Sequence, residues 1–238
     1  METVSTVVVP VLESSVETTP AQNVNLDEFA GFNHDAMINQ SVLEFYSEHA
    51  KEYELGMMAD EYNGPQLVFP FCSTYLSKDW RVLEVGAGTG QLGKMLVVDG
   101  FTDLHAIDPC SEMLEIAQKR CVYNTITNDF LDPVRYGGLE PKSFDGLISV
   151  GAFGPGMMGP DVFQVFIDMV RPGGLVVFGT REAWMHDQSQ GEYPHWAWDS
   201  YKVIEDLEAD NRWTPVTKQI VENHCCGFPG FYMVMRVL

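Results

Sequence analysis

The chain has 238 residues, 45% of them hydrophobic, enough to build one large α/β domain with a full core. Its 34 Asp and Glu outnumber 14 Lys and Arg, giving a formal charge of −20 with no basic run anywhere. Such a field repels phosphate backbones and anionic bilayers, so nucleic-acid and membrane partners are not expected; it mildly favours neutral or cationic substrates, while acidity that serves only solubility is the plainer account.

Five cysteines, Cys72, Cys110, Cys121, Cys225 and Cys226, form an odd set with no CxxC spacing. That argues against a disulfide framework or a zinc site and fits a reducing, cytoplasmic setting. No apolar stretch approaches the roughly 20 residues that a membrane-spanning helix needs. No His, Asp and Glu cluster shows metal-ligand spacing, so no metal is expected.

In chain order, residues 1–30 are rich in Val, Thr, Ser and Glu without a sustained period, the pattern of a disordered tail. From Asn33 to about Glu54, Ala36, Met37, Val42, Leu43, Phe45, Tyr46, Ala50 and Tyr53 recur at helical spacing, broken by Gly56. A second helical stretch ends near Leu76, with Gly64-Pro65 marking a helix start. Strand and helix signals then alternate. Strands are expected at Val82–Val85, Leu104–Ile107, Val122–Ile126, Phe144–Val150 and Leu175–Gly179, the last entered through Pro172-Gly173-Gly174. Helices are expected at Gln91–Val98, Ser111–Lys119 with Ser111 as N-cap, and Val162–Val170. This alternation implies parallel strands with helices on both faces. Thr214–Val221 and Phe231–Val237 read as a closing hairpin that adds one antiparallel strand.

The strongest motif is Val82-Leu83-Glu84-Val85-Gly86-Ala87-Gly88-Thr89-Gly90, a buried strand running into a glycine turn and then a helix. Glycines there permit positive φ and let a ligand approach the backbone. The overlapping Gly88–Gly93 segment also matches GxGxxG, a weak sign of a nicotinamide-dependent oxidoreductase. Glu84, two residues before the first glycine, argues otherwise. Its carboxylate is expected to point into the ligand crevice, where it would repel a pyrophosphate and attract an ammonium or sulfonium. Capping of the turn is the plainer alternative. Asp108 ends the next strand, where a carboxylate can accept from both hydroxyls of a ribose. Met113 suits either an adenine face or the core. Asn128-Asp129-Phe130 follows the third strand on the same sheet edge, where Asp129 can accept an exocyclic amine.

These segments, with Ala106-Ile107-Asp108-Pro109, Phe144-Asp145 and Arg171-Pro172-Gly173-Gly174, resemble the class I methyltransferases that use S-adenosyl-L-methionine, over roughly residues 43–182. Within that class, Phe45-Tyr46 through Tyr53 and Val150-Gly151-Ala152-Phe153 look similar to the Williams-Beuren-region methyltransferase-like proteins. The resemblance implies a three-layer Rossmann-like sandwich, with a seven-stranded, mostly parallel sheet, the last strand antiparallel, and extra N-terminal helices. It implies a domain over 31–238, made of covering helices (31–78), a cofactor-binding core (79–182) and a substrate loop with terminal hairpin (183–238). Glu84 would serve the methionyl end, Gly86, Ala87, Gly88 and Gly90 the turn beneath it, Asp108 and Pro109 the ribose. Met113, Asn128, Asp129 and Phe130 would meet the adenine, and Val150 and Gly151 would complete the site. Tyr46 and Tyr53 match aromatic positions on a covering helix, though packing onto the sheet explains them equally well.

Methyl transfer needs alignment and exclusion of water more than a dedicated catalytic side chain. The segment from Arg181 to Tyr201 lacks an apolar period and holds Trp184, His186, Tyr193, His195, Trp196 and Trp198. Trp184 and Trp196, with Phe153 after the fourth strand, are candidates to line an acceptor pocket, and His186 or His195 to act as base. Simple packing of the loop is the competing account of each. The leading expectation is methyl transfer to a small-molecule acceptor. The alternative is a non-catalytic protein that binds S-adenosylmethionine or S-adenosylhomocysteine and acts through a partner. The sequence leaves oligomeric state open.

Overall fold

A computed structural model describes residues 42–59, 61–134, 136–189 and 196–238. The expected 1–30 tail, Ala36 and Met37 lie outside the described residues. Two short helices come first, α1 (Val42–His49) and α2 (Tyr53–Ala59), followed by α3 (Gly64–Tyr75). The alternating core is β1 (Arg81–Val85), α4 (Gln91–Val98), β2 (Asp103–Asp108), α5 (Ser111–Arg120), β3 (Thr125–Asn128), β4 (Phe144–Val150), α6 (Val162–Met169) and β5 (Val170–Arg181). A 3₁₀ turn (Glu182–Met185), α7 (Ser200–Ala209), β6 (Trp213–Cys225) and β7 (Phe228–Val237) complete it.

All seven strands among the described residues form one sheet in the order β3-β2-β1-β4-β5-β7-β6. Pairing is parallel from β3 to β5, and β7 runs antiparallel to both β5 and β6. The order turns at β1, whose neighbours are β2 and β4, and a crevice opens beyond the carboxyl ends of strands at such a reversal.

Strand alternation sorts the core into two layers. Leu83, Val85, Leu147, Val176 and Phe178 pack with α6, α7 and Trp213 on one face. Val82, Leu104, Ile148, Val177 and Val234 pack with α3 and α4 on the other. A smaller cluster, Ala50, Cys110 and Met113, holds Leu43, Tyr46 and Tyr53 of the N-terminal helices against α5. Sheet and helices thus make three layers, with the first two helices laid across the crevice end.

Several boundaries differ from the sequence reading, each for a local reason. The first helical stretch breaks at Ala50–Glu52, and Gly56 lies inside α2. Cys110, not Ser111, occupies the N-cap of α5, and the Ser111 hydroxyl donates to Glu112 instead. Cys121 in the left-handed region prolongs the exit from α5, so the third strand starts at Thr125. Pro172–Gly174 fall within β5, where pairing shifts between Phe144 and Gly146. The hairpin strands are longer than expected and meet at Cys226-Gly227, both left-handed, as a two-residue turn requires. Cys225 and Cys226 are accordingly not buried. Helix α7 was not anticipated, yet Asp199 accepts from the Lys202 amide as its N-cap.

Phe178 is fully buried between Phe153, Phe163 and Phe166, with ring centroids at 5.2, 5.1 and 6.5 Å. Phe178→Ala is expected to cost about 3–5 kcal/mol of stability, measured by urea denaturation.

Candidate functional site

The glycine turn after β1 is shaped by its neighbours. Gly86 has φ of 70°, and a Cβ there would fall 2.3 Å from the Ala152 Cβ. Gly88, at φ 52°, has nothing within 4 Å of that position and opens onto the cavity. Its amide donates to Asp108 Oδ2 at 2.9 Å, and the Cys110 amide donates to Oδ1 at 2.8 Å. One carboxylate therefore ties the tip of β1 to the start of α5. Asp108 is buried, and desolvation raises its pKa while the two amides pull it back down. Each oxygen keeps a second lone pair free for a ligand hydroxyl. Asn128 steadies the same corner by donating to the carbonyls of Asp108 and Pro109 at 3.1 and 3.0 Å.

A cavity of about 590 Å³ opens from this turn. Of the sequence candidates, Tyr46, Tyr53, Gly86, Gly88, Asp108, Pro109, Met113, Asp129, Phe130, Val150, Gly151 and Trp196 line it. Its far wall is Pro155–Gly159, Asp161 and Trp198. Asp108, Asp129, Asp132 and Asp161 contribute carboxylates, and among the described lining residues there is no Lys, Arg or His. Tyr46 and Tyr53 stand edge to face at 5.8 Å. Burial, chiefly, pushes Tyr46 up to about 12 and Tyr53 well above the ordinary phenol range, so both hydroxyls stay neutral donors. The Tyr46 hydroxyl faces Met157 Sδ at 3.9 Å, linking the covering helix to the far wall.

Glu84 departs from expectation. It is not among the residues lining the cavity, because alternation puts it on the α3–α4 face, opposite Leu83 and Val85. Its Oε2 accepts from Tyr123 Oη at 2.7 Å. Tyr123 in turn lies where a Cβ on Gly93 would stand, 2.4 Å from its hydroxyl. The pair buttresses the glycine turn from behind. Desolvation pushes Glu84 up to about 8, against the lowering effect of the Tyr123 hydroxyl, with Asp108 adding to the rise.

Ala87 and Gly90 shape the turn without lining the cavity, Gly90 serving as left-handed N-cap of α4. Phe153 is buried against Phe163, Phe178 and Trp196 and supports the wall from below. Trp184 is likewise buried, its carbonyl accepting from Trp196 Nε1 at 3.0 Å and from Ser200 Oγ at 3.2 Å. His186 is not a lining residue; it pairs with Glu182 at 2.6 Å and lies against Tyr201. His195 and Tyr193 lie outside the described residues.

Sequence reasoning missed a latch across the turn. Glu54 of α2 accepts from Thr89 Oγ1 at 2.7 Å and pairs with Arg120, whose Nε donates to the Thr89 carbonyl at 2.7 Å. Nothing in the spacing of Glu54 and Arg120 signals this, since α2 and the end of α5 meet only in the fold.

Residues 82–174 match the family described as a methyltransferase domain. The human methyltransferase-like protein 27 is 29% identical over 147 residues, 58% of this chain and 57% of that protein. The chain thus spans little more than half the length of that relative. A Burkholderia thailandensis 1,6-didemethyltoxoflavin-N1-methyltransferase, solved with 1,6-didemethyltoxoflavin and S-adenosylhomocysteine bound, superposes with a TM-score of 0.56. It is 17% identical and covers 92% of this chain and 93% of its own. The [4+2]-cyclase SpnF superposes at 0.54, 14% identical, over 73% of this chain and 81% of its own. Together with the strand order, these likenesses show a Rossmann-like fold whose residues 82–174 are similar to a methyltransferase domain.

The buried acid makes a pH prediction. Unfolded Glu84 ionises near 4.5 and folded Glu84 near 8, so the native state holds the extra proton between them and stability falls as pH rises through that window. His224, buried against Tyr232 and pushed down to about 4, acts oppositely below its ordinary 6.5. The ligand-free protein should therefore lose stability from about pH 6.5 to 8, by up to about 1.4 kcal/mol per pH unit. Urea denaturation of Glu84→Gln should show a smaller decline; an unchanged slope would mean the carboxyl is ionised throughout.

Proposed function

We propose that this chain is an S-adenosyl-L-methionine-dependent methyltransferase acting on a small-molecule acceptor. The observation that carries the reading is the junction of Gly88 and Asp108. An open glycine turn and a buried carboxylate, already fixed by two amides, meet on one cavity edge. The cradle left by the missing Gly88 side chain and the spare lone pairs of Asp108 fit a nucleoside.

S-adenosylmethionine, when bound, supplies a methyl group already activated on a sulfonium. The chain's residues supply binding, alignment and dryness. Asp108 would accept from the ribose hydroxyls. Asp129 and Phe130 would meet the adenine, with Met113 beneath it. Tyr46 and Tyr53 would cover the site from the N-terminal helices, and the Glu54–Arg120 latch would hold those helices down. Glu84 would act through Tyr123 as a positioning residue for the turn. Both the covering helix and the Val150–Gly151 turn face the cavity, which supports the narrower likeness to the Williams-Beuren-region proteins. Residues 79–182 would then be the cofactor-binding core and 183–238 the acceptor side with its hairpin. A concave cavity of this volume favours a small acceptor over a macromolecular one. No helix among the described residues is long and apolar enough to cross a membrane; a cytoplasmic setting rests on the thiol content.

Calorimetric titration tests the reading. S-adenosylhomocysteine should bind the wild-type chain, Asp108→Ala should weaken it by roughly 10- to 100-fold, as for a charged hydrogen-bonding group, and NAD⁺ should not bind. Preference for NAD⁺, or an Asp108→Ala variant of unchanged affinity, contradicts it.

A further inference from the structure

We infer that the acceptor is an organic cation with an aromatic or apolar body, such as an arylalkylamine, and that Asp161 and Trp198 select it by charge. This assignment rests on the methyltransferase reading and concerns the part of the cavity that a nucleoside at Asp108 and Asp129 leaves over.

That remaining wall has a definite chemistry. Met157, Met158 and Trp196 give it soft, polarizable apolar surface, suited to a flat hydrocarbon body. The exposed carboxylate on its rim is Asp161, and among the described lining residues there is no Lys, Arg or His. Asp161 occupies the N-cap position of α6, yet its side chain makes no capping hydrogen bond there. Instead Asp161 Oδ1 and Trp198 Nε1 flank the open side of Gly159, 3.1 and 4.0 Å from where a Cβ on that glycine would stand. A carboxylate beside an indole, at the rim of an apolar cavity, offers an ion pair with an aromatic ring next to it.

The sign of charge decides what is turned away as well. A carboxylate- or phosphate-bearing acceptor would bring its own anion beside Asp161, with no Lys, Arg or His among the described lining residues to offset it, inside a molecule of net charge −20. The same field raises the local concentration of a cation. Because Asp161 and Trp198 sit at the exposed rim, they discriminate by charge, while depth of burial against Met157, Met158 and Trp196 discriminates by shape.

Two probes of one shape separate these effects: tryptamine and indole-3-acetate, titrated calorimetrically into the full chain saturated with S-adenosylhomocysteine. Tryptamine should bind at least about tenfold more tightly than the acid, with a preference that shrinks as salt rises. Asp161→Asn should remove most of that preference, and Trp198→Ala should weaken tryptamine, while both bind S-adenosylhomocysteine as the wild type does. Equal or tighter binding of indole-3-acetate overturns the assignment. So does a complex that takes up neither tryptamine nor phenethylamine. If S-adenosylhomocysteine itself fails to bind, the methyl-transfer reading falls first and the acceptor assignment with it.

Discussion

The site depends on one buried carboxylate. Asp108 takes the amides of Gly88 and Cys110 on its two oxygens, so the glycine turn, the end of β2 and the head of α5 move as one piece. Burial raises the cost of charge on Asp108, and those two amides are what offset it. Without that anchor, a turn with left-handed glycines at 86, 88 and 90 would have many conformations to choose from. The anchored form is presented to the cavity with ligand-accepting capacity to spare.

Around it the fold adds support from two sides. Behind the turn, Tyr123 and Glu84 fill the space that Gly93 leaves open. In front, α1 and α2 bring Tyr46 and Tyr53 over the cavity, and Glu54 ties them to Thr89 and Arg120. The far wall belongs to the segments after β4 and β5, whose aromatic residues divide their labour. Phe153 and Trp184 are structural packing, whereas Trp196 and Trp198 reach the cavity.

The sheet was legible in the sequence because most of its parallel strands carry a short apolar run closed by glycine or aspartate, and Gln91–Val98 and Phe144–Val150 emerge with the expected bounds. The cavity edge was legible for a related reason: Gly86, Gly88, Asp108 and Asp129 all lie at or just beyond the carboxyl ends of strands that point the same way. Glu84 was misjudged because a motif fixes position along a strand, while alternation fixes the face. Counting from the apolar Leu83 and Val85 would have placed it on the other side. The Glu54–Arg120 latch, and the separation of Trp184 from Trp196, depend on contacts between distant segments that no local period encodes. Helix α7 carried a readable signal in Asp199 ahead of Val203, Ile204 and Leu207, masked by the aromatic-rich stretch before it.

The most direct test of the account is a crystal structure of the chain with S-adenosylhomocysteine. The ribose hydroxyls should lie within hydrogen-bond distance of Asp108, the adenine beside Asp129, and Glu84 should remain on Tyr123. A nucleoside seated away from Asp108, or Glu84 swung off Tyr123 to meet the ligand, would contradict it.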